Sequence, residues 1–258
     1  MNTINLHLVK TLNAMNLTTQ ILNKILFLDI ETVSEKHHFQ ELNETFQKLW
    51  TKKAISIQKN LQISDIDEIA ALYEAKAGIF AEYSKIVCIS VAYLNAENKL
   101  RVKSFAGDDE KQLLKDFTQL LSQHFNDPER FFLCGHNIKE FDIPFICRRL
   151  IKHRMALPAL LNVAGKKPWQ TEFLIDTMDL WRFGDIKNYT SLELIAATLD
   201  IPTPKDDIDG SQVGRVYWED HGLDRIVTYC QKDVVTVVRL IQHFMGIDGV
   251  SDEDIDWV

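Results

Sequence analysis

Ile25-Leu26-Phe27-Leu28-Asp29-Ile30-Glu31-Thr32 is the stretch on which the fold turns. The apolar run Ile25 to Leu28 suits a central strand covered on both faces. Asp29 and Glu31 interrupt the pattern at alternate positions, and side chains two apart on a strand share a face. Two acids at the end of a hydrophobic strand are costly unless something neutralises them. A divalent cation that prefers oxygen, Mg²⁺ or Mn²⁺, does so. Two solvated acids at a strand end fit the tripeptide equally well, so the reading depends on further carboxylates downstream.

Upstream, residues 1–23 are polar and irregular and read as a weakly ordered extension, with Met15 an alternative start. They lack the apolar core of a signal peptide. Downstream, residues 34–84 read as a helical insertion. Phe39, Leu42, Phe46 and Leu49-Trp50 form one stripe, and a second runs from Ile69 to Gly78 after a start at Ser64. Outer packing rather than a lid is its expected role. Lys85 to Leu94 and Leu100 to Phe105 form a hairpin across a turn at Asn95 to Asn98. A helix capped at Gly107-Asp108-Asp109 follows, then a strand at Arg130 to Cys134 and a helix from Phe141 to Arg154. A loop from Met155 to Gln170 leads to a short strand, Phe173 to Ile175. Next come a helix, Asn188 to Leu199, with a Thr190–Glu193 capping box, and a loop, Ile201 to Gly214. The last long helix spans Gly222 to Gly246. Residues 247–258 read as an acidic, frayed tail, with Trp257 hinting at a docking contact. The order predicts one α/β domain over 24–246, a mixed sheet with helices on its faces.

The 258 residues carry a formal charge of -8, which disfavours wrapping of duplex DNA through its phosphates. Cys88, Cys134, Cys147 and Cys230 lie in apolar runs without zinc spacing and read as core thiols, consistent with a cytoplasmic location. No apolar run approaches the ~18 residues of a membrane span.

Two further acidic sites exist. Asp142 follows Gly135-His136-Asn137 and Phe141 at a strand-to-helix junction, where Asp is also a favoured cap. Tyr229 and Asp233 lie four apart on the last helix and share a face at the margin of its apolar stripe. Four carboxylates converging on one point cannot all stay ionised without cations.

Together these motifs resemble the DEDD family of 3′–5′ exonucleases, in its tyrosine subclass. Asp29-Ile-Glu31-Thr, Asn137 to Asp142 and Tyr229-x-x-x-Asp233 match its three motifs in order. The closest likeness is to the proofreading exonuclease domain of family-B DNA polymerases, and Lys205 to Val213 is similar to stand-alone bacterial members. No polymerase palm sequence follows, and the insertion after Thr32 is longer than in proofreading domains. The resemblance implies a ribonuclease-H-like fold and two divalent cations, Mg²⁺ or Mn²⁺. It implies that Asp29, Glu31, Asp142 and Asp233 are metal ligands, that Tyr229 orients the attacking water, and that Thr32, Asn137, Phe141 and Ser191 contact substrate. The expected partner is the 3′ end of single-stranded nucleic acid, DNA favoured over RNA. Capping explains Ser191 equally well, and Asp176 reads as a cap or as a support for the site. Arg148-Arg149, Lys152-His153-Arg154 and Lys166-Lys167 read as a basic strip or as a solvated face. RNA 3′-end trimming and a non-catalytic binding module of the same fold remain the alternatives.

Overall fold

The computed structural model describes residues 19–60, 62, 64–95, 97, 99–185, 187, 189–202 and 207–258. After a 3-10 turn at Thr19–Lys24, β1 runs from Ile25 to Ser34. Helices α1 (Glu44–Ile57) and α2 (Ile66–Lys76) follow, then the hairpin β2 (Ser84–Leu94) and β3 (Leu100–Ala106). The chain continues through α3 (Glu110–His124), β4 (Phe132–Gly135), α4 (Asp142–Lys152), β5 (Leu174–Asp176) and α5 (Thr177–Arg182). It closes with α6 (Leu192–Thr198), α7 (Val213–Trp218), α8 (Leu223–Phe244) and β6 (Ile255–Trp257).

The six strands form one sheet in the order β5-β4-β1-β2-β3-β6. The β1–β2 and β2–β3 pairs are antiparallel, and β4, β5 and β6 join in parallel. This is the mixed α/β sheet expected, and it agrees with the ribonuclease-H-like fold that the resemblance implies. β1 lies at its centre and its pleat sorts the chain into two layers. Ile25 and Phe27 pack with Val234, Val237, Val238 and Ile241 of α8. Leu26, Leu28 and Ile30 pack on the opposite face with α3 and α4, through Leu114, Phe117 and Ile146. Period-two alternation therefore sends Asp29 and Glu31 to the α8 face.

Between β1 and β2, the insertion builds a core of its own. Trp50 is fully buried, its Nε1–H donates to the Ile69 carbonyl at 3.1 Å, and its ring meets Tyr73 and Tyr83 edge-on at 5.3 and 5.0 Å. Truncating such a Trp costs about 3–5 kcal/mol. The first stripe is shorter than its spacing suggests. Phe39 sits in a 3-10 turn, α1 begins only after Asn43 caps Phe46 N–H at 3.0 Å, and Leu49 faces solvent.

Other expectations need correction. The described part of the N-terminal extension is a packed turn, with Leu22 buried beside α8; residues 1–18, Met15 among them, lie outside the described residues. The tail is not frayed. Ile255–Trp257 adds a parallel strand to β3, and Arg239 of α8 donates to the Val250 carbonyl at 3.1 Å and to Asp252 at 2.6 Å. Arg149 belongs to no basic strip. Its guanidinium is buried and binds Glu110 at 2.6 and 2.7 Å, Glu35 at 3.0 Å and the Ala81 carbonyl at 2.8 Å. Lys152 is paired to Glu35 at 2.7 Å. The cap of α6 is Ser191, not Thr190. Asn188, Ala96, Asn98 and the first residues of the Lys205 segment fall outside the described residues. Cys88, Cys134 and Cys230 are buried, and Cys147 is partly so. No helix among the described residues is long and apolar enough to cross a membrane.

Candidate active site

All nine residues singled out from the sequence line one cleft of about 820 Å³: Asp29, Glu31, Thr32, Asn137, Phe141, Asp142, Ser191, Tyr229 and Asp233. β1 supplies the first acids. Its ladder with β2 shifts between Glu31 and Thr32, because Glu31 pairs with Cys88 while Thr32 pairs with Ile86. Val87 is the extra residue, and its carbonyl is taken by Gly107 N–H at 3.1 Å. Such bulges often sit beside sites, where they re-aim side chains.

β4 carries the second motif. A Cβ on Gly135 would stand 2.8 Å from the Leu28 carbonyl, so only glycine lets β4 turn so close to β1. Asn137 then adopts φ 60°, a left-handed conformation that Asn tolerates. Asp176 fixes this turn. Its carboxylate accepts from the N–H groups of Asn137 at 2.9 Å, Lys139 at 3.1 Å and Met178 at 3.0 Å. It therefore caps α5 and also supports the site loop. Asp142 is the first residue of α4 rather than its cap, and its carboxylate accepts the backbone N–H of Ile30, between the two β1 acids. Phe141 lies beside it, 5.4 Å from Phe145.

α8 supplies the third motif. Tyr229 and Asp233, one turn apart, are hydrogen-bonded side chain to side chain. Gly210 lies over the phenol, where a Cβ would stand 3.7 Å from the hydroxyl.

The electrostatics are those of crowded, desolvated acids. Burial holds Asp29 well above the ordinary carboxylate range, and Asp142 and Asp233 push it further. Burial raises Glu31 too, with Asp29 and Asp233 adding to it. Burial brings Asp142 to about 7 against the opposing backbone N–H bonds. Burial and then Asp233 push the Tyr229 phenol far up, so it stays neutral. Ligand atoms of Asp29, Glu31 and Cys230 all lie within 4.8 Å of one another. A hard, oxygen-rich donor set carrying uncompensated negative charge fits Mg²⁺ or Mn²⁺.

Two hydroxyls are already committed. Thr32 Oγ1 donates to the Gly78 carbonyl at 2.8 Å, which leaves its backbone facing the cleft. Ser191 Oγ accepts the Leu194 N–H at 3.2 Å, so capping accounts for it.

Sequence reasoning missed several residues here. Cys230 passed for core, although its place three before Asp233 puts it one turn away on the same side of α8. His136 bridges the site loops, from Thr177 Oγ1 to the Thr190 carbonyl, both at 2.9 Å. Tyr189 lines the cleft, and its hydroxyl is raised by local desolvation first and then by Asp142, Asp29 and Asp233. His37, Glu74 and Lys76 bring the insertion into the cleft wall, so it does more than pack on the outside. Only contacts across the fold reveal these.

With the fold and the acidic cleft in view, comparison places the chain. It belongs to the family described as "Predicted 3′-5′ exonuclease related to the exonuclease domain of PolB", whose pattern matches residues 79–254. By family it is thus a 3′–5′ exonuclease, a hydrolase acting on nucleic acid. The match begins beyond β1, so Asp29 and Glu31 lie outside it. Among solved structures, the RNase domain of the yeast Pop2 protein is similar over 88% of this chain and 82% of that one, at 11% identity and a TM-score of 0.37. No curated protein matches the chain.

Proposed function

We propose that this chain removes nucleotides from the 3′ end of single-stranded or frayed DNA, releasing nucleoside 5′-monophosphates with the help of two divalent cations. The observation that carries the reading is the meeting of Asp29, Glu31, Asp142 and Asp233, from a strand and two helices, in one cleft with Tyr229. Burying like charges together is costly and serves little purpose in a module that only binds nucleic acid.

Asp29, Glu31 and Asp233 would hold one ion, and Asp29 with Asp142 the other. When bound, such ions neutralise the acids, acidify water and stabilise the leaving oxygen. Water attacks phosphorus, the bond to the 3′-oxygen breaks, and a proton passes to that oxygen. The neutral Tyr229 phenol is a poor base, so its role is to orient the water. The backbone at Thr32 faces the terminal 3′-hydroxyl, while Asn137 and the Phe141 ring contact the last sugar or base. Ser191 contributes by shaping the turn at the cleft's edge.

The test is a gel assay on 5′-labelled single-stranded DNA and matched RNA with Mg²⁺, Mn²⁺ or EDTA, beside Asp233→Ala. A metal-dependent ladder shortening from the 3′ end of DNA, absent in the variant, is expected. Preferential shortening of RNA would move the assignment to RNA trimming. Strand binding without cleavage of either would leave a binding module.

A further inference from the structure

We infer that this enzyme reads only the last few nucleotides of its substrate, and that short oligonucleotides are its natural substrate class. The inference rests on the exonuclease reading above and adds to it a limit on what the cleft recognises.

The first argument is size. Sites for single drug-sized ligands run from roughly 300 to 1,000 Å³. At about 820 Å³ this cleft is one such site, not an extended groove. The insertion helps to bound it. Gly78 is tied to Thr32, and Glu74 and Lys76 of α2 stand in the wall with His37. On the same side Trp218 follows. Its ring lies parallel to His37, with centroids 5.6 Å apart, and its Nε1–H is held by Ser34 Oγ at 3.0 Å.

The second argument is charge. Proteins that grip a long single strand follow its phosphates with a groove of cations. Here the cations around the cleft are bound to the protein's own acids. Lys139, two residues from Asn137, pairs with Asp179 at 3.0 Å, and Arg182 approaches the same carboxylate at 3.6 Å. Across the cleft Arg215 pairs with Asp220 at 3.2 Å, and Arg225 is shared between Asp207 at 2.8 Å and Asp220 at 3.0 Å. Glu74 and Glu219 add negative charge to the walls, in a chain of net charge -8. An upstream phosphate would meet paired cations and carboxylates, so lengthening the strand adds little binding.

The experiment measures kcat/KM on 5′-labelled oligonucleotides of increasing length, trimer to 20-mer, at fixed Mn²⁺ and rising KCl. Each phosphate contacted by a cation contributes about -0.7 to the log–log salt slope for a single strand. We expect kcat/KM on trimer and 20-mer to agree within about tenfold, with a slope shallower than about -2. A larger gain with length, or a steeper slope, would overturn the inference while leaving the exonuclease intact. Cleavage of no length would instead overturn the exonuclease reading, and this inference with it. Asp179→Asn supplies an independent check away from the acids. Freeing Lys139 and Arg182 should steepen the slope by about 0.7 for each cation released and favour the 20-mer. An unchanged slope would overturn the claim that Asp179 neutralises this flank.

Discussion

Cys230 reaches across the fold to Asp29, its Sγ 3.4 Å from both the backbone carbonyl and the Oδ2 of that residue. The thiol is a weak donor to a carboxylate that has few others. Cys230→Ala should therefore lower kcat/KM by less than about tenfold, the equivalent of about 1 kcal/mol. Cys230→Ser should recover most of the loss. Steady-state kinetics decide, and a fall beyond a hundredfold would mean that the thiol does more than steady Asp29.

The acids oppose one another before any cation arrives. Asp29→Asn should abolish hydrolysis and yet raise the melting temperature in EDTA at pH 8, where it removes one buried charge. A gain of about 1 kcal/mol corresponds to about 2–4 °C. Melting curves with EDTA would show it, and a lower melting temperature would contradict the charge crowding.

Asp142 sets a pH dependence. Burial raises its folded-state value to about 7, above the ~3.9 of an unfolded chain. Between these values the folded protein holds more protons, so stability falls as pH rises. The metal-free protein should melt higher at pH 5 than at pH 8, and Mn²⁺ should flatten the slope by binding the ionised acids. Thermal melts across this range with EDTA or Mn²⁺ test it; a rise in EDTA melting temperature towards pH 8 would refute it.

Tyr229→Phe removes the hydroxyl that bonds Asp233. We expect kcat to fall by roughly 10²-fold with the Mn²⁺ midpoint unchanged. A midpoint shift as large as that of Asp233→Ala would make Tyr229 part of the cation site.

Arg149 binds two acids and a carbonyl in the interior, and Glu110, one of those acids, accepts Ile86 N–H at 2.8 Å. Burial alone would raise Glu110, but Arg149 and His153 outweigh it and hold the carboxyl low. Arg149→Met should cost about 3–5 kcal/mol, because it leaves buried carboxylates unpaired. Activity below the new melting point should be close to wild type. Equal melting temperatures would show the network to be dispensable.

Much of this was legible in the sequence because the signals were local. The run Ile25 to Leu28 marked the central strand, alternation put Asp29 and Glu31 on one face, and a four-residue spacing joined Tyr229 to Asp233. What escaped reading depends on distant partners. Arg149 looks like a surface base until Glu110 and Glu35 are seen around it. The tail looks frayed until β3 offers it an edge. The short helices α5 and α7, six residues each, carry too few turns to display a period. The insertion's stripe was visible, but not that Asn43 cuts it, nor that the second helix turns its edge to the cleft.

The acids of the cleft enter the chain at both ends, from Asp29 on β1 to Asp233 on α8. The consequence is one of timing during synthesis. A ribosome that has delivered the sheet's central strands has made a polypeptide with Asp29 and Glu31 but no Tyr229 or Asp233. Docking of α8 over β1 completes the cluster and covers the apolar face at the same moment. Hydrolytic power therefore appears with the folded state, and a nascent or prematurely terminated chain cannot cut nucleic acid.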